Sequence, residues 1–585
     1  MCGIFGIVGS KRKELGRTLL KGIKRLEYRG YDSVGMAALD KGKIKVKKAA
    51  GAVDKADKKL NFSELKGHIG ITHSRWSTHG GVTDFNAHPH QSCDKNITIV
   101  HNGIIENYEE IKSDLIKKGH KFRSETDSEV IAHYFEEKIK QKPIKQACVD
   151  FLKEIEGTFA VLMMKNDEEK IYALKRDSPL VLGICEEYNI LGSDIYAFSD
   201  RTDKAVFFDN DEFAVIEKDK YQFYDTKGKK ITKKIQTFVW EQEESLKEKY
   251  PHFMIKEIME EPRVVKRLLM SLKTDQKDNF NKFIDMIIKA EKVIFAASGT
   301  SYHAALLGVY YFHRCSDVCG IEAQALIASE FEHFANVDSN TLVIAVSQSG
   351  ETMDVIEALK FAKKRKAKIA SMVNVPYSSI QRMSDISLQV LAGQEICVAA
   401  TKSFVNQVTL LLSIAKEFGF KINLDTLSER IEEMLAKKDE IKKIAKKIYK
   451  NKDLYVLGRG LSYPVAREVA LKIKEISYIH AEGMMGGELK HGTIALIEKG
   501  TPVISLISNK DYDMLSNTKE VEARGAKIIK VTNEFDGDIK INTSNDGKFG
   551  VLAAIFGQLL TYYMALELNL PVDKPRNLAK SVTVK

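Results

Sequence analysis

The sequence predicts an α+β amino-terminal domain followed by two α/β domains, each built on a parallel sheet. Three observations lead to this fold class. The 585 residues are too many for one hydrophobic core, so several domains are expected. Roughly the first 240 residues contain short alternating stretches, whereas the later part alternates buried strands with longer helices. In that later part, one order of strand, small-residue loop and helix occurs twice.

Short stretches of alternating apolar and polar residues, bounded by Gly, Asn and Asp, are typical of the amino-terminal domain, which we place at residues 2–240. The clearest are residues 44–47, 97–100, 159–163 and 214–216. Residues 241–272 have a charged, helical pattern interrupted by Pro251 and Pro262. We interpret this segment as a helical linker.

Two later segments repeat one layout. Buried strands at 293–297 and 342–346 lead into small-residue loops and helices, and strands at 454–457 and 502–506 follow about 160 residues further on. Because strands that alternate with helices form parallel sheets, we expect related domains at 273–425 and 426–572, followed by a tail at 573–585. The loop after 502–506 is less regular than its counterpart.

Composition limits the classes of function. The net charge is +10, but the lysines are spread through helical stretches, which favours solvated helix faces over nucleic-acid binding. Seven cysteines without a disulfide-like framework, no signal peptide and no apolar run of membrane-spanning length indicate a cytoplasmic protein without membrane contact. Neither Cys315 with Cys319 nor His88 with His90 completes a ligand set, so we expect no metal and no cofactor.

Cys2 is the sharpest single signal. Once Met1 is removed, Cys2 carries both a thiol and a free α-amine, and such an amine titrates near pH ~8 and can act as a general base toward its own side chain. A cysteine at position 2 by itself can also be an ordinary residue without a catalytic role. The neighbouring motifs favour the nucleophile.

Four polar motifs accompany Cys2-Gly3-Ile4. They are LEYRGYDS at 26–33, HSRWSTHG at 73–80, HNGIIEN at 101–107 and ETDSE at 125–129. Together and in this order, the motifs resemble class II glutamine amidotransferases, whose catalytic cysteine becomes the terminal residue. The resemblance covers about residues 2–230. It implies a four-layer α+β fold of the N-terminal-nucleophile type.

The amidotransferase resemblance also implies roles for single residues. Hydrolysis of the glutamine amide needs a thiolate and hydrogen-bond donors for the oxyanion. The resemblance assigns the thiolate to Cys2 and the donors to Asn102 and Gly103. It places the glutamine α-carboxylate on Arg75 and the α-ammonium on Asp127. Further glutamine-binding residues are Trp76, Thr78, His79 and Arg29. For Trp76, a core position and the closing of an ammonia passage both stay open.

Two loops rich in hydroxyl groups, at 298–301 and 347–352, follow buried strands and open helices. Helix starts offer unpaired N–H groups, and loops after neighbouring parallel strands meet at the carboxyl edge of a sheet. Helix capping by Ser or Thr is the alternative. The dense SQSGET loop favours phosphate binding. The predicted sugar-phosphate ligands are Thr300, Ser301, Ser347, Gln348, Ser349 and Thr352.

The SQSGET loop resembles the phosphate-binding signature of sugar isomerase (SIS) domains, and residues 285–572 resemble a tandem pair of them. An amidotransferase joined to two SIS domains implies transfer of the amide nitrogen of L-glutamine to D-fructose-6-phosphate. The product is isomerised to D-glucosamine-6-phosphate with release of L-glutamate, the first step of hexosamine synthesis. The resemblance also implies a homodimer.

The same resemblance places the sugar chemistry on four residues. Lys580 would hold the ketose as a Schiff base, His491 would open the ring, and Glu475 would move a proton with Lys472 alongside. Ala399 would line the sugar site, next to Ala400, which stands where the family commonly has serine.

Two alternative functions stay open. The chain could be a sugar-phosphate-binding regulator built from SIS domains, or an amidotransferase with another sugar-phosphate acceptor. A regulator has no need of a nucleophile at position 2. A phosphoribosyl acceptor site needs paired acidic residues before a Thr-rich loop, which the sequence lacks. We therefore expect the aminotransferase.

Overall fold

The computed structural model describes residues 2–238, 247–315 and 322–583. It divides into two compact units, Met1–Glu244 with Ser581–Lys585, and Ser245–Lys580. The expected domain boundary at 240 and the expected packing of Cys319 lie outside the described residues. Cys315 is a buried thiol, as expected, with its Sγ 3.6 Å from the Ala415 carbonyl oxygen.

The amino-terminal unit is strand-rich, as predicted. Its described strands are β1 Gly3–Val8, β2 Ser33–Asp40, β3 Lys43–Ala50, β4 Ile69–Arg75, β5 His90–Gln91, β6 Ile97–Ile105, β7 Gly157–Lys165, β8 Ile171–Arg176, β9 Val181–Ile184, β10 Asn189–Gly192, β11 Lys204–Phe207, β12 Glu212–Ile216, β13 Tyr221–Tyr224, β14 Lys230–Ile231 and β15 Gln236–Thr237. Its described helices are α1 Leu15–Arg25, α2 Val53–Leu60, α3 Tyr108–Lys117, α4 Glu129–Ile139 and α5 Ile144–Glu154.

These strands form two antiparallel sheets that pack face to face. Among the described residues, one sheet has eight strands in the order β15-β11-β9-β10-β1-β4-β2-β3, and the other has seven in the order β14-β13-β12-β8-β7-β6-β5. Ile4 of the first sheet and Leu162 of the second share one buried core. Helix α1 packs on the first sheet, while Phe135 of α4 and Phe151 of α5 belong to a core with Phe159 of the second. The predicted four-layer arrangement is therefore confirmed.

The second unit alternates strands and helices. Its described helices are α6 Phe253–Met259, α7 Glu261–Ser271, α8 Lys277–Ile288, α9 Gly299–Arg314, α10 Phe331–Phe334, α11 Met353–Lys364, α12 Ser379–Met383, α13 Lys402–Glu417, α14 Leu427–Ala436, α15 Lys438–Ile448, α16 Ser462–Ser477, α17 Tyr512–Glu522 and α18 Asp546–Glu567. Its described strands are β16 Lys292–Ala297, β17 Glu322–Ile327, β18 Thr341–Ser347, β19 Lys368–Val373, β20 Ile386–Gln389, β21 Asp453–Gly458, β22 His480–Met485, β23 Pro502–Ile507, β24 Lys527–Thr532 and β25 Ile539–Lys540.

Two parallel sheets organise this unit, and their topology confirms the repeat. The first has the order β17-β16-β18-β19-β20 and the second β22-β21-β23-β24-β25, so each begins second-first-third along the chain. In both sheets the two strands that precede the predicted small-residue loops are neighbours, β16 with β18 and β21 with β23. Such neighbours open their loops at one carboxyl edge, where ligands bind in parallel sheets.

Helix α18 corrects one expectation from the sequence. By length and composition, Asp546–Glu567 is sufficient to cross a membrane, so the statement that no apolar run reaches that length was wrong. In this fold 89% of its apolar stretch is buried, and it packs on α15 and α16. Such burial is typical of the central helix of a core.

Candidate active sites

The Cys2 thiol lies beside the end of a neighbouring strand. Gly3 pairs with Ser74 of β4, and this register brings the residue after β4, Trp76, next to Cys2. The Trp76 N–H donates to Cys2 Sγ at 3.3 Å. Burial raises the pKa of the thiol, while the Trp76 N–H and the Arg75 charge act in the opposite direction. Because the pKa is raised overall, the reaction of the thiol calls for a base.

Strand β6 brings the predicted oxyanion hole to the same place. Asn102 Nδ2 donates to the Cys2 carbonyl oxygen at 2.9 Å. Gly103 has a φ of 126°, and a Cβ built there would lie 2.0 Å from the Thr158 carbonyl oxygen. Only glycine fits this backbone. Amide donors of the kind that stabilise an oxyanion thus lie next to the nucleophile.

Arg75 and Asp127, the predicted contacts for the ends of glutamine, are both buried. Arg75 donates to three backbone carbonyls of residues 79–81, with Nη1 3.1 Å from Gly81 O. Asp127 Oδ2 accepts the Ile105 N–H at 2.8 Å. The guanidinium thus orders the loop that follows Trp76, and the carboxylate is fixed against the strand that carries Gly103.

Thr78 and His79 lie on that loop. Thr78 is exposed and His79 is half-buried, with His79 Nδ1 3.4 Å from Thr78 Oγ1 and its ring edge-on to Tyr108 at 5.7 Å. Both side chains are near the surface of the unit, where an amino acid could reach them.

Trp76 is not a core residue. Its ring is half-buried and stands edge-on to Tyr31, with 5.7 Å between ring centroids. Asp32, which was not predicted as a site residue, bonds to the residues on both sides of Trp76. Its Oδ2 accepts the Ser77 N–H at 2.8 Å, and its backbone N–H donates to the Arg75 carbonyl oxygen at 2.9 Å. The core alternative for Trp76 is thereby removed, and the passage-closing role stays a prediction.

Arg29 is placed differently from the other predicted glutamine ligands. Its buried guanidinium pairs with Asp194 Oδ2 at 2.7 Å and donates to the Tyr28 hydroxyl at 3.1 Å. Asp194 is 165 residues away from Arg29 and lies outside the five motifs. Contact of Arg29 with glutamine stays a prediction.

The two hydroxyl loops of the second unit lie after neighbouring parallel strands, as predicted. In the SQSGET loop, Ser347 Oγ accepts the Gly350 N–H at 3.0 Å and lies 3.3 Å from Thr352 Oγ1, while Ser349 Oγ accepts the Glu351 N–H at 3.2 Å. The Gln348 carbonyl accepts two backbone N–H groups from the next strand–loop junction. These bonds hold a tight turn at the start of α11.

The other loop connects to a different part of the unit. Thr300 Oγ1 donates to Glu468 Oε1 at 3.1 Å, and Ser301 Oγ accepts from Gln407 Nε2 at 3.0 Å. The neighbouring His303 also contacts Glu468, with Nδ1 2.8 Å from Oε2. The first parallel-sheet domain is thus tied to helix α16 of the second.

Lys580 forms a buried ion pair with Glu395. Only 3% of the Lys580 side chain and none of the Glu395 side chain is exposed. Burial would raise the pKa of Glu395, but the Lys580 ammonium and the Ser403 hydroxyl outweigh it and lower the pKa to about 2. Glu395 was not predicted as a site residue. It is followed closely by Ala399, which is also buried.

Helix α16 aligns Glu468, Lys472 and Glu475 along one side. The Lys472 ammonium lies between the two carboxylates, 3.4 Å from Glu468 and 2.5 Å from Glu475. Burial lowers the pKa of Lys472, but the two negative charges raise it overall. His491, by contrast, is exposed at the end of a short 3-10 helix, Glu488–His491, and no described residue forms a hydrogen bond or ion pair with it.

This combination of domains is found in known proteins. Residues 73–200 match the family of glutamine amidotransferase domains, and residues 286–416 and 447–567 each match the SIS domain family. The glutamine–fructose-6-phosphate aminotransferase (isomerizing) of Thermococcus kodakarensis is 42% identical and that of Pyrococcus horikoshii is 41% identical, with 100% of each chain covered. The chain belongs to the glutamine–fructose-6-phosphate aminotransferase family. Both resemblances in the sequence are thereby confirmed.

A solved structure from this family supports the fold of the second unit. The carboxy-terminal domain of glucosamine-fructose-6-phosphate aminotransferase from Francisella tularensis matches with a TM-score of 0.51 and 33% identity, over 56% of this chain and 100% of that chain. The α/β fold predicted for the SIS part is confirmed. The roles of single residues and the domain boundaries stay predictions within the aminotransferase family.

Proposed function

We propose that this chain transfers the amide nitrogen of L-glutamine to D-fructose-6-phosphate and isomerises the product to D-glucosamine-6-phosphate, with release of L-glutamate. This reaction is the first step of hexosamine synthesis. The observation that carries the proposal is that one chain contains a thiol beside amide donors, at Cys2 and Asn102, and a buried amine, Lys580.

In the glutaminase site, Cys2 attacks the side-chain carbonyl of glutamine. The α-amine that Cys2 exposes after removal of Met1 takes the thiol proton, since burial keeps that proton in place otherwise. Asn102 Nδ2 and the Gly103 N–H stabilise the oxyanion. Ammonia leaves with the proton, and water then hydrolyses the thioester to glutamate.

The ends of the glutamine molecule are held by charge. The α-carboxylate binds Arg75, whose planar guanidinium suits a carboxylate, and the α-ammonium binds Asp127. Because Arg75 already orders the carbonyls of residues 79–81, substrate binding and the order of the Thr78–His79 loop are linked. Trp76 follows Arg75 and closes the passage through which ammonia leaves.

In the sugar site, the two hydroxyl loops bind the phosphate at helix starts. His491 opens the ring, and the Lys580 amine condenses with the C2 carbonyl to a Schiff base with loss of water. The contact of Lys580 with Glu395 must separate before the amine attacks. Ammonia then displaces the lysine, and Glu475, next to Lys472, moves a proton between C1 and C2.

The assembly we propose is a cytoplasmic homodimer that binds neither nucleic acid nor a membrane. We assign His491 to the sugar site of the other subunit; in the described part of its own chain it is exposed and has no hydrogen-bond or ion-pair partner.

Isotope transfer tests the function directly. With glutamine labelled by ¹⁵N at the amide, mass spectrometry should find the label in glucosamine-6-phosphate. Cys2→Ala should abolish this product yet retain sugar isomerisation, and Lys580→Ala should retain glutamine hydrolysis yet end the sugar chemistry. An unlabelled amino sugar, or full glutamine-dependent synthesis by Cys2→Ala, would contradict the proposal.

A further inference from the structure

A cluster of metal-ligating side chains lies in the amino-terminal unit, outside the residues assigned to glutamine. Cys93 is in the turn between β5 and β6, His120 follows α3, and His133 and Glu136 lie one turn apart on α4. One ligand atom from each of the four lies within 4.8 Å of the others. The proposed mechanism does not use any of them.

Four of the separations between these atoms are within about 0.3 Å of those in four-coordinate zinc. Zn–N and Zn–O bonds of about 2.0–2.2 Å and a Zn–S bond of about 2.3 Å set tetrahedral ligand separations of about 3.3–3.6 Å. Cys93 Sγ lies 3.9 Å from His120 Nδ1 and 3.6 Å from His133 Nδ1. Glu136 Oε2 lies 3.1 Å and 3.3 Å from the same two nitrogens.

The groups behind the ligands also match a metal site. A metal-bound histidine usually has a carboxylate or carbonyl at its other ring nitrogen, which fixes the tautomer. His120 Nε2 lies 3.2 Å from Glu137 Oε2, and His133 Nε2 lies 3.5 Å from Glu129 Oε1. In both rings Nδ1 therefore faces the centre of the cluster, and Nε2 faces a carboxylate.

The cysteine has a matching environment. The Lys121 N–H donates to Cys93 Sγ at 3.2 Å, a bond that a metal-bound thiolate accepts readily. His120, His133 and Glu136 are buried, whereas Cys93 is exposed, so an ion can enter from solvent at the cysteine.

We propose that Cys93, His120, His133 and Glu136 bind one zinc ion. Thiolate, imidazole and carboxylate all bind zinc, and four protein ligands complete its tetrahedral coordination, as in a structural site. This site differs from the expectation of no metal, which was based only on the pairs Cys315 with Cys319 and His88 with His90. The ion would join the β5–β6 turn, the segment after α3 and helix α4. In the sequence, Asp127 lies between the ligands His120 and His133.

Metal content is the first test. The full-length chain, expressed without a histidine tag and dialysed against metal-free buffer, should contain about one zinc per chain by mass spectrometry of the elements. After chelation, titration with Co²⁺ should give a thiolate-to-cobalt absorption band and the visible bands of a tetrahedral site, saturating at about one ion per chain. Less than about a tenth of an ion per chain in both measurements would overturn the proposal and leave a hydrogen-bonded His–Glu–His cluster.

Variants show which thiol is the ligand. Cys93→Ser should remove the thiolate band and lower zinc affinity at least about tenfold, and Glu136→Gln should weaken zinc binding while keeping the band. The matched control Cys185→Ser and the catalytic variant Cys2→Ala should keep both the band and the stoichiometry. A band that survives Cys93→Ser, or that disappears in Cys2→Ala, would overturn the assignment. If Cys93→Ser does not fold, the cobalt spectra of the wild type and of Cys2→Ala still test whether a thiolate other than Cys2 binds the metal.

Discussion

The two parallel-sheet domains share one strand order, yet their loops are built for different purposes. In the first, the loop at the start of α11 is rich in hydroxyl groups, with Ser347 and Ser349 ordering its backbone. In the second, the loop after β21 forms an ion pair, Arg459 with Asp513 at 2.6 Å, and the loop after β23 is held by the bond from the Asn509 N–H to Asn533. These two loops of the second domain thus use polar side chains for contacts with other residues of the same domain.

The second domain contributes through α16, the helix after its first strand, instead. Helix α16 carries the buried charges Glu468 and Lys472 and the partly exposed Glu475. We infer that duplication preserved the backbone and divided the work, so that one copy binds the phosphate and the other supplies charges for proton transfer. The predictions below test this division.

Removal of the Lys472 charge should have the largest effect. Lys472→Met leaves Glu468 buried with one cation fewer and should lower the free energy of unfolding by about 3 kcal/mol. Glucosamine-6-phosphate formation should fall by about 100-fold or more, since the charge next to Glu475 is lost. Urea unfolding and a product assay measure the two effects.

The first domain offers the control. Lys360 pairs with Glu357 on α11 at 2.9 Å, at the same i,i+3 spacing but with about a third of each side chain exposed. Lys360→Met should lower the unfolding free energy by less than about 0.5 kcal/mol. Equal losses of unfolding free energy in the two variants would show that the buried charges of α16 contribute no more to stability than the exposed pair of α11.

The loops can be compared through two glycines with positive φ. Gly350 has a φ of 65°, and a Cβ there would lie 2.0 Å from Ser378 Oγ, so Gly350→Ala must displace the SQSGET loop. The KM for fructose-6-phosphate should rise by about 100-fold, as expected when binding groups are misplaced by an ångström. Steady-state kinetics with saturating glutamine measure this change.

Gly460, in the loop after β21, has a φ of 52° and more space around it, with Arg314 Nη2 the nearest atom at 3.7 Å. Gly460→Ala should cost about 1 kcal/mol of stability from the backbone alone and change the KM less than about twofold. A similar rise in KM for both variants would mean that both domains bind the sugar phosphate.

Glu257 is a buried carboxylate in contact with the first domain. Glu257 accepts the backbone N–H groups of Ile396 and Cys397. Burial and the charge of Glu395 raise its pKa to about 8. Since the folded pKa is above the unfolded one, this group stabilises the fold fully below about pH 4.5, and its contribution is lost as pH rises through 8.

Between pH 6 and pH 8 the loss should be about 2 kcal/mol. Glu257→Gln keeps an acceptor for both N–H groups and removes the titration, so its unfolding free energy should vary less over this range. Parallel pH profiles of variant and wild type, measured by urea unfolding, would contradict the assignment.

Much of the fold could be predicted because its signals are local. Apolar runs at 293–297 and 342–346 are the strands β16 and β18, and the small residues after them mark the helix starts. The thiol site could also be predicted, because five motifs in order identify Cys2, Asn102 and their neighbours. The length of the apolar run in α18 was overlooked, and hydropathy alone does not distinguish a buried core helix from a membrane span.

Pairings over long sequence distances could not be predicted. Glu395 is 185 residues from Lys580, and neither has a sequence pattern that refers to the other. The proposed zinc ligands were missed for a similar reason: a strand and a helix lie between Cys93 and the helix that carries Glu136, without the close cysteine pairs by which zinc sites are usually found. Only the tertiary fold brings such side chains together.

Glu468 connects the two copies of the duplicated fold. Its carboxylate accepts from Thr300 of the first domain, touches His303, and faces Lys472 of its own helix. A substitution on either side therefore changes the environment of the other. During evolution, the two halves of the sugar site would have to vary together, and neither copy could be exchanged for an unrelated one without losing this shared acceptor.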